Sequence, residues 1–416
     1  MTMGSNQTEP LYCGKGINDF HAGYYVWHGY VSLFVCILGI IANTLNIIVL
    51  TRREMRSPTN AILTGLAIAD LTVMIDYIPF AFHGNILPSM NYPREKQLTY
   101  SWACFVKFHS IFAQTCHTIS IWLTVTLAVW RYIAVVFPQK NRLWCGMQTT
   151  ILTIATAFVV CPLITIPPIY IGFSITPFNE MLDSHGNKLV TSVTDFNTTI
   201  SSTLVPPEGR NVTLYKVSMS QLARDYPFIM NSNFFIYSVL IKLIPCFALT
   251  MLSVRLIAAL LEAKRRRKQL TSNSNGMKHI VNGKVVDKPR KNSKTLEKEK
   301  QTDRTTKMLL AVLLLFLMTE FPQGILGLLS ATLGDPFFEQ CYIKLGEVMD
   351  ILALINSGIN FILYCAMSRQ FRTTFVLLFR PKFLDKWLPV AQDDDNGRTD
   401  MGHDNNGHTQ TQVSHV

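Results

Sequence analysis

Residues 117–138 have the sequence HTISIWLTVTLAVWRYIAVVFP, and this stretch decides the fold class. It is apolar, yet polar side chains recur along it and just before it at intervals of three, four or seven residues. These side chains are Lys107, Gln114, His117, Ser120, Thr124 and Arg131. At that spacing they form one stripe along a helix. Because a polar stripe facing lipid is costly, we predict that this helix lies at the centre of a membrane-spanning bundle.

Arg131 ends the polar stripe, beside Tyr132 and shortly before Pro138. An arginine at a helix end often extends to the membrane surface while its aliphatic stem packs on apolar neighbours. The alternative is a switch residue that contacts a cytoplasmic partner. The stretch alone does not separate these two roles.

The composition indicates an integral membrane protein, because the 416 residues are 49% hydrophobic and only 16% charged. The net charge of +11 is concentrated in residues 263–307, which hold 15 of the 38 Lys and Arg residues and 4 of the 27 acidic residues. No zinc, RNP or helix-turn-helix pattern accompanies this segment, so nucleic-acid binding is not expected. A cytoplasmic loop between membrane helices explains the charge better.

Seven segments are long and apolar enough to span a bilayer as helices. They are residues 28–51, 60–82, 104–136, 147–171, 228–262, 305–333 and 341–366. The third and seventh carry too many polar groups to face lipid alone, which predicts one cooperative bundle. The predicted fold class is therefore an all-α membrane protein with a seven-transmembrane helix bundle.

Basic residues and glycosylation sequons fix the predicted orientation. Arginines follow the first span, Lys140 and Arg142 follow the third, and the basic segment follows the fifth, all on one side. The Asn-x-Ser/Thr sequons at Asn6, Asn197 and Asn211 fall on the other side. We therefore expect the N-terminus outside the cell and the C-terminus inside.

The predicted organisation has an extracellular tail at 1–27, a membrane domain at 28–380 that includes the basic loop 263–307, and a disordered cytoplasmic tail at 381–416. Residues 368–379 have the pattern of an amphipathic helix on the membrane surface. The polar loop 173–226 is either a binding lid or disordered. The chain ends in Ser414-His415-Val416, a pattern that can add to the sheet edge of a PDZ domain.

Three of the nine cysteines fall on the extracellular side of this topology: Cys13, Cys104 and Cys341. At most one pair can form among them. The pairings Cys13–Cys341, Cys13–Cys104 and Cys104–Cys341 all remain open, because sequence does not fix disulfide connectivity.

The chain resembles the rhodopsin-like (class A) G-protein-coupled receptors over residues 28–380. The shared landmarks are Asn43, Leu66-Ala-Ile-Ala-Asp70, Arg131-Tyr132, Pro245, Pro322 and Asn356-Ser-Gly-Ile-Asn360-Phe-Ile-Leu-Tyr364. Residues 117–124 with 131–135, and residues 319–326, resemble the invertebrate myosuppressin receptors, which belong to the FMRFamide-related neuropeptide receptors. The resemblance implies a plasma-membrane protein that binds an extracellular amidated peptide, with a heterotrimeric G protein and arrestin as further partners.

The resemblance also implies roles for individual residues. Family ligands end in Arg-Phe-amide, and a guanidinium entering low dielectric needs a carboxylate. Candidates for that carboxylate are Glu320, Asp350 and Asp76, and candidates for the terminal amide are His117, Gln114 and Gln323. The alternative for each acid is pairing with Lys107, Lys242 or a neighbouring amide. Residues expected to couple to the G protein are Arg131, Tyr132, Asn360 and Tyr364.

The superfamily holds a sodium ion near mid-bilayer, and the matching residues are present here. They are Asp70, Asn43, Ser120, Asn356, Ser357 and Asn360. A structural polar network around a protonated Asp70 is the alternative. No other cofactor is expected.

Several positions depart from the superfamily pattern, among them Ser253 at the usual fifth-helix tyrosine and Phe158 at the fourth-helix tryptophan. Trp130 replaces the acid before Arg131, Phe361 replaces the proline of the seventh helix, and Glu320 stands where tryptophan is usual. The usual kink and the usual aromatic switch therefore cannot be assumed. A transporter or channel is the alternative function, but such proteins commonly contain repeats, and none is found here. No nucleophile–base pair, metal motif or phosphate loop indicates an enzyme.

Overall fold

The structure is a computed structural model that describes residues 11–188, 209–274, 280–281, 284–285 and 293–379. Within these residues, seven helices are long and apolar enough to cross a membrane, which confirms the predicted fold class. The chain divides into the units Met1–Phe375 and Val376–Val416, and only residues 376–379 of the second are described. The predicted tail at 381–416 and its C-terminal motif lie outside the described residues.

The membrane-spanning helices follow one another along the chain as antiparallel neighbours. Helices α1 to α4 are Lys15–Leu50, Pro58–Ala81, Tyr100–Val136 and Met147–Gly172. Helix α5 comprises Pro227–Phe235, a π-helical segment Ile236–Leu243 and Ile244–Ser274. Helix α6 is Ser293–Leu333, and α7 comprises the π-turn Phe338–Tyr342, Ile343–Gly358 and Asn360–Met367. Helix α8, Arg369–Phe379, occupies the predicted amphipathic segment.

Two helix starts are explained by capping side chains. The Ser57 hydroxyl accepts a hydrogen bond from the Asn60 backbone N–H at 3.2 Å, and Pro58 follows as the first residue of α2. The Thr99 hydroxyl accepts one from the Trp102 N–H at 3.2 Å, at the start of α3. Both contacts satisfy N–H groups that a helix start otherwise leaves unpaired.

Helix α7 is interrupted at Ile359 although the usual proline is missing. The interruption follows Gly358, which lies close to α1: a Cβ built on Gly39 would lie 3.6 Å from the Gly358 Cα and 2.1 Å from the Met74 Sδ. Any larger side chain at Gly39 must displace Met74. Helix α7 is therefore interrupted next to its glycine contact with α1, although Phe361 replaces the proline that usually causes the kink.

The loop between α4 and α5 contains a β-hairpin, an element that the sequence analysis did not predict. Strand β1, Phe173–Leu182, pairs antiparallel with β2, Arg210–Met219, in the register Phe173↔Met219 to Leu182↔Arg210. Residues 189–208 between the strands lie outside the described part. The Tyr215 N–H donates to the Leu98 carbonyl at 3.0 Å, which holds the hairpin beside the start of α3. The hairpin favours the lid alternative for this loop.

The described ends of the basic loop continue α5 and α6 as helix. Two-residue strands, β3 Ile280–Val281 and β4 Lys284–Val285, pair between them. The remaining short helical segments are Arg53–Met55, Phe82–Ile86, Leu87–Ser89, Arg94–Gln97, Pro138–Trp144, Gln221–Asp225 and Asp335–Phe337.

Cys13 and Cys341 form a disulfide, which selects one of the three pairings left open by the sequence, and Cys104 is a free thiol. Beside the disulfide, the Tyr12 N–H donates to the Gln340 side chain at 3.0 Å. Helix α1 begins at Lys15, well before the predicted span at residue 28, so much of the expected N-terminal tail is helical. The disulfide ties this extension to the start of α7.

Candidate functional site

Two adjoining cavities open among the helices at the end of the bundle that carries the hairpin. One, here called the polar cavity, has a volume of about 300 Å³ and is lined by His109, His117 and Asp350, among others. The second, here called the apolar cavity, has a volume of about 360 Å³ and includes Phe173 and Val217 of the hairpin. Both are lined by Ser110, Gln114, Tyr237 and Tyr342, so the two cavities adjoin each other.

Asp76 does not line either cavity, because its carboxylate is bound to His109. The His109 Nδ1 lies 2.6 Å from the Asp76 Oδ2, and both side chains are buried. The His109 ring also stacks on Phe80 at a centroid distance of 4.0 Å. Asp76 therefore positions a cavity-lining histidine instead of facing the cavity itself.

Glu320 is likewise paired inside the protein. The Lys242 Nζ lies 2.5 Å from the Glu320 Oε2, and neither side chain is exposed. The His117 Nε2 lies 3.2 Å from the same oxygen. The sequence predicts that Glu320 either contacts the ligand or pairs with a lysine or an amide, and the structure shows the pair with Lys242. Glu320 does not line either cavity.

Asp350 is the acidic residue that lines the polar cavity. Among the described residues it forms no ion pair, and the Tyr77 hydroxyl is its hydrogen-bonding neighbour. Nearby, Gln323 is 9% exposed, and its Oε1 is buried without a hydrogen-bond partner in the described part, as is the Nε2 of Gln114. A buried polar atom without a partner is costly, so these atoms favour a polar group in the cavity.

The predicted sodium residues meet around a smaller cavity of about 30 Å³, deeper in the bundle. The Ser120 hydroxyl donates to the Asp70 Oδ1 at 2.6 Å, and the Asn360 Nδ2 donates to its Oδ2 at 3.1 Å. Asn356 and Ser357 also line this cavity. The volume is about that of one water molecule in the liquid.

Asn43 is separate from the small cavity. Its Nδ2 donates to the carbonyls of Gly39 and Ser357, each at 3.1 Å, and it does not line the cavity. Asn43 therefore joins α1 to α7 and positions Ser357. Asn43 therefore lies near the other five predicted sodium residues but does not line the small cavity that they share.

At the opposite end of the bundle, Arg131 forms no ion pair with a described residue, consistent with the loss of the usual neighbouring acid. Trp130, which replaces that acid, donates from its Nε1 to the Thr150 hydroxyl of α4 at 2.9 Å. The Tyr132 ring packs on Phe137, and the buried Tyr364 ring packs on Phe371 of α8. The predicted coupling residues Arg131, Tyr132 and Tyr364 thus lie away from the cavities at the hairpin end.

Of the three asparagines in glycosylation sequons, Asn211 is the one that the structure describes. Asn211 is exposed on β2, as an acceptor requires. Asn6 and Asn197 lie outside the described residues.

Ion pairs connect the hairpin to the loop between α2 and α3. Glu180 pairs with Arg94 at 2.5 Å and with Lys188 at 3.3 Å, and Arg210 pairs with Glu95. Burial opposes ionisation of the Glu180 carboxyl, but the hydrogen bonds and charges of Arg94 and Lys188 outweigh this and hold its pKa below the usual 4.5.

We expect Glu180→Gln to loosen the hairpin by about 1 kcal/mol or less, because the basic partners are partly exposed. Because folding lowers the pKa of Glu180, its contribution is present above about pH 4.5 and is lost as the pH falls through the folded value. Faster amide hydrogen exchange in β1 and β2 at pH 7 would show the effect. Exchange equal to that of the wild type would show that backbone pairing alone holds the hairpin.

Sequence reasoning missed three of the residues that shape this site. His109 and Tyr342 line the cavity but match no motif, and Lys242 was considered only as an alternative partner for the acids. Lys242 did carry a signal: it is the charged residue in the otherwise apolar stretch 234–249. An ionisable residue in such a stretch is by default a functional candidate.

Comparison with known proteins assigns the chain to a family. The family model described as "Serpentine type 7TM GPCR chemoreceptor Srw" matches residues 30–382. The chain belongs to this family of G-protein-coupled receptors. The receptor is also 30% identical to the G-protein coupled receptor dmsr-1 of Caenorhabditis elegans over 86% of its own length and 69% of the relative's.

Two further relatives are from Drosophila melanogaster. The receptor is 28% identical to the sex peptide receptor over 86% of its own length and 74% of that chain. It is 24% identical to the FMRFamide receptor over 87% and 55%. The resemblance to rhodopsin-like neuropeptide receptors is confirmed, and the transporter or channel alternative is not supported. The family is one of receptors and not a known class of enzymes.

Proposed function

We propose that the receptor is activated by an amidated peptide with a basic residue close to its C-terminus, similar to the FMRFamide-related peptides. The observation that carries this proposal is Asp350, a carboxylate facing the polar cavity without a cation partner among the described residues. A guanidinium binds a buried carboxylate through charge-assisted hydrogen bonds. The names of two relatives, the sex peptide receptor and the FMRFamide receptor, support a peptide ligand.

The remaining polar groups of the cavity suit the peptide's terminal amide. A primary amide has both donor and acceptor atoms, and the unpartnered atoms of Gln114 and Gln323 can complement them. His117 lines the same cavity. A large apolar side chain of the ligand would enter the adjoining apolar cavity, beside Phe173 and Phe234.

A panel of peptides ending in Arg-Phe-amide, assayed for calcium and cyclic-nucleotide responses in transfected cells, tests this proposal. The matched control peptide carries a free carboxylate in place of the amide. We expect responses to the amidated peptides and much weaker ones to the free acids. Responses to amines or lipids but to no amidated peptide would overturn the proposal.

We infer that the receptor lies in the plasma membrane with its N-terminus outside and Asn6, Asn197 and Asn211 available for glycosylation. The basic loop 263–307, Arg131, Tyr132, Asn360 and Tyr364 would then face the cytoplasm and engage a G protein, and arrestin would bind the same side. The C-terminal residues 414–416 would be available to a PDZ domain. Antibody access to a tag at each terminus of intact cells tests this orientation.

We also propose that a sodium ion binds at Asp70, because five of the six residues predicted for this site line a space of suitable size. Asp70, Ser120, Asn356, Ser357 and Asn360 supply the oxygen atoms that hard cations prefer. Asn43 would act by positioning Ser357. The bound ion would neutralise a carboxylate inside the membrane and stabilise the arrangement in which this space exists.

Sodium binding predicts that agonist affinity in membranes decreases by about tenfold when Na⁺ replaces a large organic cation, since coupling energies are commonly 1–3 kcal/mol. The Asp70→Asn receptor should lose this dependence, because the carboxylate is gone. Glu54→Gln, at an exposed position, is the control and should keep it. Equal affinities in the two cations for the wild type would contradict the proposal and favour a polar network without sodium.

A further inference from the structure

Lys242, Glu320 and His117 join three helices at one buried point. Lys242 lies in the π-helical segment of α5, Glu320 in α6 and His117 in α3. The Lys242 Nζ and the His117 Nε2 contact the same oxygen of Glu320, at 2.5 and 3.2 Å. The other oxygen, Oε1, is buried without a hydrogen-bond partner in the described part of the chain. We call this cluster the ionic clasp.

The ionic clasp is a poor device for stability alone. Removing two charges from water is costly, and replacing a buried ion pair by well-packed apolar side chains is often neutral or stabilising. Here one carboxylate oxygen is also left without a hydrogen bond, which adds to the cost. A buried ionic group of this kind is better explained by a role in choosing between two arrangements of the helices.

The position of the clasp connects the two ends of the receptor. His117 lines the polar cavity, where the ligand is proposed to bind, and also the small cavity around Asp70. The clasp therefore lies between the ligand space and the small cavity around Asp70, which Tyr364 also lines. A ligand group that binds His117 would compete directly with Glu320 for the ring.

Lys242 and Glu320 both lie near helix positions at which regular α-helical geometry is disturbed. Lys242 is in a π-helical segment and precedes Pro245, while Pro322 lies inside the continuous helix α6, two residues after Glu320. Such segments are where helices bend. The two helices are in close contact here, because a Cβ built on Gly324 would lie 3.1 Å from the Lys242 Cβ. Breaking the clasp would release α5 and α6 where they are in close contact.

We propose that the ionic clasp is the element that holds α3, α5 and α6 in the resting arrangement, and that Lys242 and His117 act as positioning residues for Glu320. Ligand contact with His117 weakens the clasp and lets α6 move relative to α5. The charge of Glu320 thus takes the switching role that the usual tryptophan has at this position in the superfamily. The release of the clasp by a ligand at His117 rests on the proposed function. The role of the clasp in the resting receptor does not depend on it.

Basal signalling without ligand tests the inference independently of the peptide. In cells with matched surface expression, we expect Glu320→Gln and Lys242→Met to raise basal G-protein signalling about fivefold or more. Lys242→Arg keeps the charge and should stay near the wild type. The exchanged pair Lys242→Glu with Glu320→Lys should return basal signalling to within about twofold of the wild type.

Unchanged or lower basal signalling in both single variants would overturn the inference, as would an exchanged pair that reaches the surface but signals like the single variants. If the single variants do not reach the surface, His117→Asn carries the test, because this ring is partly exposed to the cavity. It should also raise basal signalling, and an unchanged value would overturn the clasp. A failed peptide panel would leave these results intact, so the two proposals fail separately.

Discussion

Replacing Asp350 by Asn is expected to lower the potency of an activating amidated peptide by about 30-fold or more. Truncating one partner of a buried, hydrogen-bonded charge pair costs about 2–5 kcal/mol, and each 1.4 kcal/mol is a factor of ten in affinity. The expected loss is large because Asp350 is the acidic residue lining the polar cavity. Concentration–response curves at matched surface expression measure it.

Glu347→Gln is the matched control, because Glu347 lies one turn earlier on α7 and does not line either cavity. Its potency should stay within about threefold of the wild type, as expected for a group without a ligand contact. Asp76→Asn should have an intermediate effect through the position of His109. Wild-type potency for Asp350→Asn, with normal surface expression, would remove Asp350 from the ligand site.

Replacing Lys242 alone by Met is expected to reduce the free energy of unfolding by about 3–5 kcal/mol, because Glu320 is then left buried with His117 as its remaining partner. Replacing Lys242 and Glu320 together by Met should restore most of that loss, since two apolar side chains need no counter-charge. Thermal unfolding of the receptor in detergent, read as a double-mutant cycle, measures the coupling.

Lys107→Met is the matched control for this cycle. Lys107 lies at the edge of the apolar cavity with its Nζ 4.3 Å from the centroid of the Tyr170 ring, a contact worth about 0.5–1 kcal/mol. Its loss should therefore be small. A double Lys242/Glu320 variant that loses the sum of the two single losses would show that the residues do not stabilise each other.

The seven spans and the central helix could be predicted because they depend on local signals. A polar stripe such as Gln114, His117 and Ser120 marks the inner face of α3 by spacing alone, and the structure places all three against internal cavities. Length and hydropathy were sufficient for these elements.

The hairpin could not be predicted with equal ease, because its pairing depends on contacts distant in sequence. Leu182 pairs with Arg210 across residues that carry no cysteine to mark a link. The alternating side chains around Leu214 were a weak signal of a strand with one buried face. The contacts between the hairpin and the α2–α3 loop include ion pairs such as Arg94–Glu180, which sequence spacing does not reveal.

The candidate site was predicted as a set of residues but not as a set of pairs. Sequence placed Asp76, Glu320 and Asp350 together without saying which of them an internal cation neutralises. The structure pairs Asp76 with His109 and Glu320 with Lys242. Such pairing depends on side-chain distances of a few ångströms between different helices, which periodicity along one helix does not determine.

The central claim is that a cationic group of the peptide binds Asp350, and a double-mutant cycle between receptor and ligand tests it most directly. The cycle compares wild-type and Asp350→Asn receptors with a peptide whose arginine is intact or replaced by its neutral isostere citrulline. Each change alone should lower the affinity by about tenfold or more. The two changes together should lower it little further than either one alone, because both remove the same contact. Losses that multiply, as for independent sites, would contradict the account.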